Sequence, residues 1–242
     1  MQLYGGCEFD NPDCYFLPLT NCSISPTVDG NIVIRIKADI DHWFKPAFPP
    51  LFRNRSYNWY RSQLLFYLMR FNPATLATVE KIISQTFNPP SVGFHRPFVA
   101  LYVRRSDKVN VEMSQAYSIS TYIELFHKDA SQANIKTLFL NSEDRTVFKE
   151  FERANKKLNN YYKLLFINVT RDIVYTSFLH MQPNDRKKIV LEFLADLFVE
   201  ANANLHVGTL TSNWCRLVDE VRFALGKTIA FYTPENRYII DV

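Results

Sequence analysis

Apolar positions along this chain fall into two kinds of run. Short uninterrupted ones, FVALYV at 98–103, IKTLFL at 135–140, YKLLFI at 162–167, Leu205–Leu210 and TIAFY at 228–232, are rich in β-branched and aromatic residues and predict strands. Between them lie helical stretches: Ser120–Lys128, a charged Glu143–Lys157, an apolar segment from about Arg186 to Ala201, and Ser212–Leu225. Strands and helices alternate. A strand apolar at successive positions is buried on both faces, which a parallel sheet flanked by helices provides. The expected class is α/β, a Rossmann-type parallel sheet over roughly residues 91–242 with helices on both faces.

Upstream, WYRSQLLFYLMRF from Trp59 predicts a helix with almost no polar side, in which Phe66, Tyr67 and Phe71 fall at core spacing. Asn72-Pro73 supplies an N-cap and a first-turn proline for a second helix through about Ser84, and Asn88-Pro89-Pro90 stops it. Residues 1–58 read as irregular chain around one strand at Ile32–Ile36.

Composition narrows the function classes. With 242 residues, 47% hydrophobic and 21% charged, the chain can bury a large core, which excludes disorder. No run approaches the ~18 apolar residues of a membrane span, and the amino end lacks a basic segment followed by an apolar one, so neither a span nor a signal peptide is expected. Net charge is only +4 and scattered, which argues against nucleic acid and leaves a small anionic ligand open. Cysteines 7, 14, 22 and 215 form no metal-binding spacing; the first three could hold one disulfide in an oxidising compartment. Sequons at Asn21, Asn54 and Asn168 are compatible with a secretory location.

Ligands of such sheets bind beyond the carboxyl ends of the strands. Polar residues concentrate there: Arg104-Arg105-Ser106-Asp107-Lys108, Asn141-Ser142-Glu143-Asp144, Asn168-Val169-Thr170-Arg171-Asp172 and Thr211-Ser212-Asn213. With six glycines and no glycine-rich phosphate loop, the chain is not built like a dinucleotide or P-loop enzyme. A diphosphate would be held by side chains, and two arginines at a strand end offer planar, permanently charged donors. The same cluster is also compatible with an ordinary solvated turn. Adjacent arginines alternate faces, so one should point toward the sheet end. Ser212 reads as an N-cap whose helix start could also receive an anion. Asp196, inside an apolar helix, is a buried carboxylate that needs donors: the N1–H and N2–H₂ edge of guanine, or Arg216. His127 and His180 have no partner at nucleophile or metal spacing, and no Ser/His/Asp set can be assembled.

SQLLFYLMRFNP, VALYVRRSDKVNVE at 99–112, TLFLNSED at 137–144 and LADLFVEANANLHVGTLTSNWCR at 194–216, in matching order, resemble the α1,6-fucosyltransferases that modify N-glycan cores and chitin oligosaccharides. The resemblance implies a GT-B-like architecture, GDP-fucose as donor, no metal or other cofactor, and inverting transfer to the 6-hydroxyl of N-acetylglucosamine in a Golgi or secretory lumen. It implies that Arg104 and Arg105 hold the diphosphate, that Asp107 and Lys108 complete that motif, and that Glu112 is the base. Tyr122 lies near the donor, Ser142, Glu143 and Asp144 match a Thr-Asp-Asp triplet, Asp196 reads guanine, and Ser212 and Asn213 flank the phosphates. Tyr102 replaces a histidine, Glu143 an aspartate and Asn213 a glutamine. Gly208 stands where the family has the disulfide partner of the cysteine matching Cys215, so Cys215 is expected to be unpaired. Residues 1–90 would then be the remainder of an incomplete N-terminal domain with its connecting helices. Three readings stay open: the transferase, a catalytically inactive chain that binds GDP or a partner protein, and an enzyme using another sugar nucleotide.

Overall fold

The computed structural model describes residues 14–18, 51, 54–87, 97–105, 115–173, 175–227 and 232–236. Ile32–Ile36, Asp107, Lys108, Glu112 and most of the expected last strand lie outside them.

Helices α1 (Tyr57–Leu68) and α2 (Pro73–Phe87) precede β1 (Val99–Tyr102), α3 (Ile119–Gln132), β2 (Thr137–Asn141), α4 (Thr146–Lys157) and β3 (Lys163–Leu165). Then come a short α5 (Tyr175–His180), the long α6 (Pro183–Asn202), β4 (Leu205–Val207) and α7 (Asn213–Ala224). The four strands form one sheet in the order β3-β2-β1-β4, every pair parallel. Tyr232 extends it with a parallel bridge to Val207, where the fifth strand was expected. Among the described residues no helix is long and apolar enough to cross a membrane.

Strand alternation divides the core in two. Val99, Leu101, Leu138, Leu140, Leu205 and Val207 pack with Ile123 and Phe126 of α3 and Val147 and Phe151 of α4. On the other side Ala100, Phe139 and Leu165 meet Leu194, Ala195 and Leu197 of α6, Val218 of α7 and Val79 of α2. The upstream helices join this second layer, α1 against α7 and α2 against α6. Both faces of the sheet are therefore covered, as the apolar runs require.

Local chemistry fixes the helix starts. Ser56, Asn72, Ser118 and Ser212 each accept a backbone N–H three residues on, at 3.1, 2.8, 3.1 and 3.4 Å. Asp144 Oδ1 accepts from Thr146 N at 2.8 Å, so α4 begins after this acidic pair and not at Glu143 as expected. One further expectation fails. Phe66 and Tyr67 are 47% and 45% exposed, because a helix apolar all round does not reveal which stripe it buries. The structure adds α5, for which the sequence predicted no element; its six residues are too few to show a helical period.

Cys14 is disulfide-bonded, and Cys215 is free and buried. Burial pushes the Cys215 thiol up to about 12. Gly208 is required by close approach: a Cβ there would stand 2.3 Å from Cys215 Sγ. Gly208→Ala should therefore cost about 1–3 kcal/mol, read as a lower urea midpoint. Adding Cys215→Ala, which removes the sulfur the new methyl meets, should recover much of that loss.

Candidate functional site

The chain leaves β1 with Val103-Arg104-Arg105 and β2 with Ser142-Glu143, and Glu143 gathers the two exits together. Its Oε1 accepts the Arg105 backbone N–H at 2.6 Å and lies 3.0 Å from Arg104 Nη1, while Tyr102 Oη donates to Oε2 at 3.3 Å. Burial and the Glu143 carboxylate raise the Tyr102 hydroxyl well above its ordinary value. The arginines diverge as alternation demands. Arg105 makes a bidentate pair with Glu150 of α4, both bonds 2.7 Å, and holds that carboxyl below its usual range. Arg104 turns the other way, into a cavity of about 420 Å³.

This cavity lies beyond the carboxyl ends of β1, β2 and β3. Tyr102, Arg104, Asn141, Ser142 and Glu143 line it, together with Thr170 and Arg171 from the loop after β3, Ile173, Phe178 of α5, Phe193 of α6 and Trp214 of α7. Arg171 is rigidly held: it donates to Asn141 Oδ1 at 3.0 Å, to Ile167 O at 2.8 Å and to Ser142 O, and its guanidinium lies 4.6 Å from the centre of the Phe148 ring. The cavity thus offers two guanidinium groups and several aromatic rings, a combination suited to an anion joined to a planar or sugar ring.

The other expected site residues sit elsewhere. Tyr122 faces the sheet from α3 within the first core, where burial raises its hydroxyl. Asp144 Oδ1 accepts from Thr146, the first residue of α4, Ser212 caps α7, and Asn213 Oδ1 accepts from Arg216. Ser142 lines the cavity but spends its hydroxyl on Val103 O at 2.7 Å. Arg171, Asn141, Trp214 and Glu200 were not singled out as site residues. The rule that marked Arg104, polarity just past a strand, applies equally to Arg171, whereas Glu200 and Trp214 carry no such signal.

On α6 a row of carboxylates, Glu192, Asp196 and Glu200, recurs every fourth residue on the buried face. Glu192 Oε2 accepts from Thr170 N at 2.9 Å. Asp196 is 1% exposed and its Oδ1 has no hydrogen-bond partner; Arg216, the structural alternative, bonds Asn213 instead. Burial drives the Asp196 carboxyl well up, against the pull of Arg171. Glu200 Oε1 accepts from Asn141 Nδ2 at 2.6 Å and Trp214 Nε1 at 3.0 Å, and burial raises this group to about 7. No group of three or more His, Cys, Asp or Glu able to hold a metal occurs among the described residues.

A carboxyl with a higher pKa folded than unfolded stabilises the fold when protonated, and that stability is lost as pH rises through the folded value. For Glu200, moving from the ordinary 4.5 to about 7 amounts to on the order of 3 kcal/mol. Asp196 acts in the same direction. Thermal scans should show Tm falling between pH 5 and about pH 7.5, and Asp196→Asn should flatten that slope and raise Tm at its alkaline end.

The family model described as Alpha-(1,6)-fucosyltransferase N- and catalytic domains matches residues 51–228. An alpha-(1,6)-fucosyltransferase of Caenorhabditis elegans is 28% identical over 163 residues, covering 64% of this chain and 26% of that relative. The chain thus spans about a quarter of the length of this curated relative. Among solved structures, apo POFUT1 is 18% identical with a TM-score of 0.46, covering 71% of this chain and 49% of that one. POFUT1 in complex with GDP-fucose is 16% identical with a TM-score of 0.46, covering 71% and 48%. The family match takes in α1 and α2, the whole four-stranded sheet, the strand-end arginines and α7, and by it the chain belongs to the alpha-(1,6)-fucosyltransferase family.

Proposed function

We propose that the cavity holds the diphosphate of GDP-fucose and that the chain serves fucosyl transfer to the 6-hydroxyl of an N-acetylglucosamine in an N-glycan core or chitin oligosaccharide. The carrying observation is Arg104: a guanidinium at the carboxyl end of β1, lining the cavity, oriented by Glu143 while its neighbour Arg105 is committed to Glu150. Transfer of fucose leaves two negative phosphates on the departing GDP. A fixed cation aimed at that developing charge lowers the barrier without reorganising, and Arg171 across the cavity adds a second. Arginines take the place of a metal ion in this scheme.

The remaining roles rest on family membership. Glu112 would take the proton from the acceptor hydroxyl as its oxygen attacks the anomeric carbon and the bond to GDP breaks, inverting that centre in one displacement. Asp196 would read guanine. In support, its Oδ1 lacks a hydrogen-bond partner, and it lies three residues along α6 from Phe193, which lines the cavity. The disulfide at Cys14 supports an oxidising, secretory-lumen setting such as the Golgi.

Calorimetry tests the donor site. GDP should bind more tightly than ADP or UDP, and Asp196→Ala should weaken GDP by at least about tenfold. Arg104→Lys should weaken it nearly as much as Arg104→Ala, because an ammonium cannot reproduce the guanidinium fork; equal binding by the lysine variant would remove Arg104 from the site.

A fucosyl-transfer assay on glycan acceptors tests the base. Glu112→Gln should bind GDP normally and transfer roughly 10²–10⁴-fold more slowly, with EDTA changing neither quantity. Unaltered transfer by that variant would dismiss Glu112, and normal GDP binding without transfer in the parent chain would favour the non-catalytic binder.

A further inference from the structure

The least expected group near the cavity is Glu200, a carboxylate with no solvent exposure on the helix face that also carries Asp196 and packs Leu194, Ala195, Leu197 and Val199 into the core. Burying an ionisable group there is costly, and an aliphatic residue would pack the same layer more cheaply. What the carboxylate does is specific. Its Oε1 receives two donors from different elements, Asn141 Nδ2 at the end of β2 and Trp214 Nε1 on α7, and both donors belong to cavity-lining residues. Asn141 in turn presents Oδ1 to Arg171 Nη1 at 3.0 Å. The Trp214 ring packs 6.0 Å from Tyr102 and 6.1 Å from Phe193. Orienting one carboxylate therefore orients the amide, the second cationic group and the aromatic wall.

We propose that Glu200 is a positioning residue for the cavity: in its ionised form it aims Trp214 and Asn141, and protonation slackens both. This rests on the cavity being the nucleotide-sugar site. A carboxylate accepts on every lone pair, whereas the acid gives up acceptor strength and adds a donor, so two converging N–H groups are best held by the anion. The titratable groups facing Glu200 are Asp196 on its own helix, His206 of β4 with Nε2 at 3.8 Å, Arg171, Tyr102 of β1 and Cys215 of α7. Burial keeps His206 neutral, holds Tyr102 protonated and pushes Cys215 up to about 12. Glu200, at about 7, is left to change charge near neutral pH, with Asp196 the competitor the experiment must separate.

The chain has three tryptophans, and replacing Trp43 and Trp59 by Phe leaves Trp214 as the sole emitter. Its fluorescence should titrate near pH 7, keep doing so in Asp196→Asn, and become flat in Glu200→Gln. GDP affinity, measured by calorimetry on the same chains, should be equal in wild type and Glu200→Gln at pH 6 and at least about fivefold weaker in Glu200→Gln at pH 8. Comparing variants cancels the ionisation of the nucleotide itself. Superimposed GDP profiles, or a Trp214 titration that survives Glu200→Gln and vanishes in Asp196→Asn, overturn the proposal. If Glu200→Gln does not fold, Trp214→Phe, which deletes one donor and keeps the carboxylate, should weaken GDP more at pH 8 than at pH 6; an equal loss at both pH values overturns it. Absence of any GDP binding by the parent chain would sink the nucleotide reading, while the Trp214 titration would still decide whether Glu200 holds the indole.

Discussion

The two central strands β1 and β2 are covered on both faces, and this constraint governs where polarity can go. Helices α3 and α4 close one side, and α6 and α7, backed by α1 and α2, close the other. A polar side chain in mid-strand would face a hydrocarbon layer whichever way it pointed. β1 and β2 obey this strictly, carrying Val99, Ala100 and Leu101 beside Leu138, Phe139 and Leu140. Polar chemistry is displaced to the next residues along, and because the strands are parallel those positions meet at one end. Tyr102 opposite Asn141, followed by Arg104 and Glu143, is the direct result.

The exceptions lie on the second face. His206 is buried in mid-β4, and Glu192, Asp196 and Glu200 turn inward from α6. Each acid meets a different accommodation. Glu192 receives the Thr170 backbone N–H, Glu200 receives two side-chain donors on Oε1 while its Oε2 has no hydrogen-bond partner, and Asp196 likewise retains an oxygen, Oδ1, without one. The row leads from Thr170 in the loop after β3 to Trp214 and Asn141, so its two ends hold residues that line the cavity. Buried acids of this kind lower stability above the ordinary carboxylate range, a cost more easily explained by the orientation of functional side chains than by packing.

Layering was legible in the sequence because it depends on runs of residues; partners were not, because they depend on pairs far apart in the chain. The apolar runs announced β1 to β4, and Asn72 and Ser212 declared their helix starts. That one of two adjacent arginines would face the sheet end followed from alternation, but which one required Glu150 to be placed on α4 within reach of Arg105. Tyr122 shows the same limit: its position in α3 gives it a stripe, and only the assembled sheet shows that the stripe faces the core opposite the cavity. Phe66 and Tyr67 were misjudged because α1 is apolar on every side and its buried stripe is chosen by α7. Glu200 gave no sign, since a glutamate near the end of a helix usually lies in solvent.

A phosphate site made of side chains faces a problem that a glycine-rich loop avoids: an arginine has many rotamers, and each must be lost before the charge is useful. The carboxylate of Glu143 addresses this at β1 by holding the Arg105 backbone and the Arg104 guanidinium at once. A guanidinium is a planar fork of five N–H donors, and the ion pair with Glu143 through Nη1 fixes the direction in which that fork is presented. The carboxylate also keeps the excess positive charge small, so the arginine can sit at a partly buried strand end. Under the proposed reading, a diphosphate would redistribute an existing electrostatic balance, and the same pair would serve both the fold and the ligand.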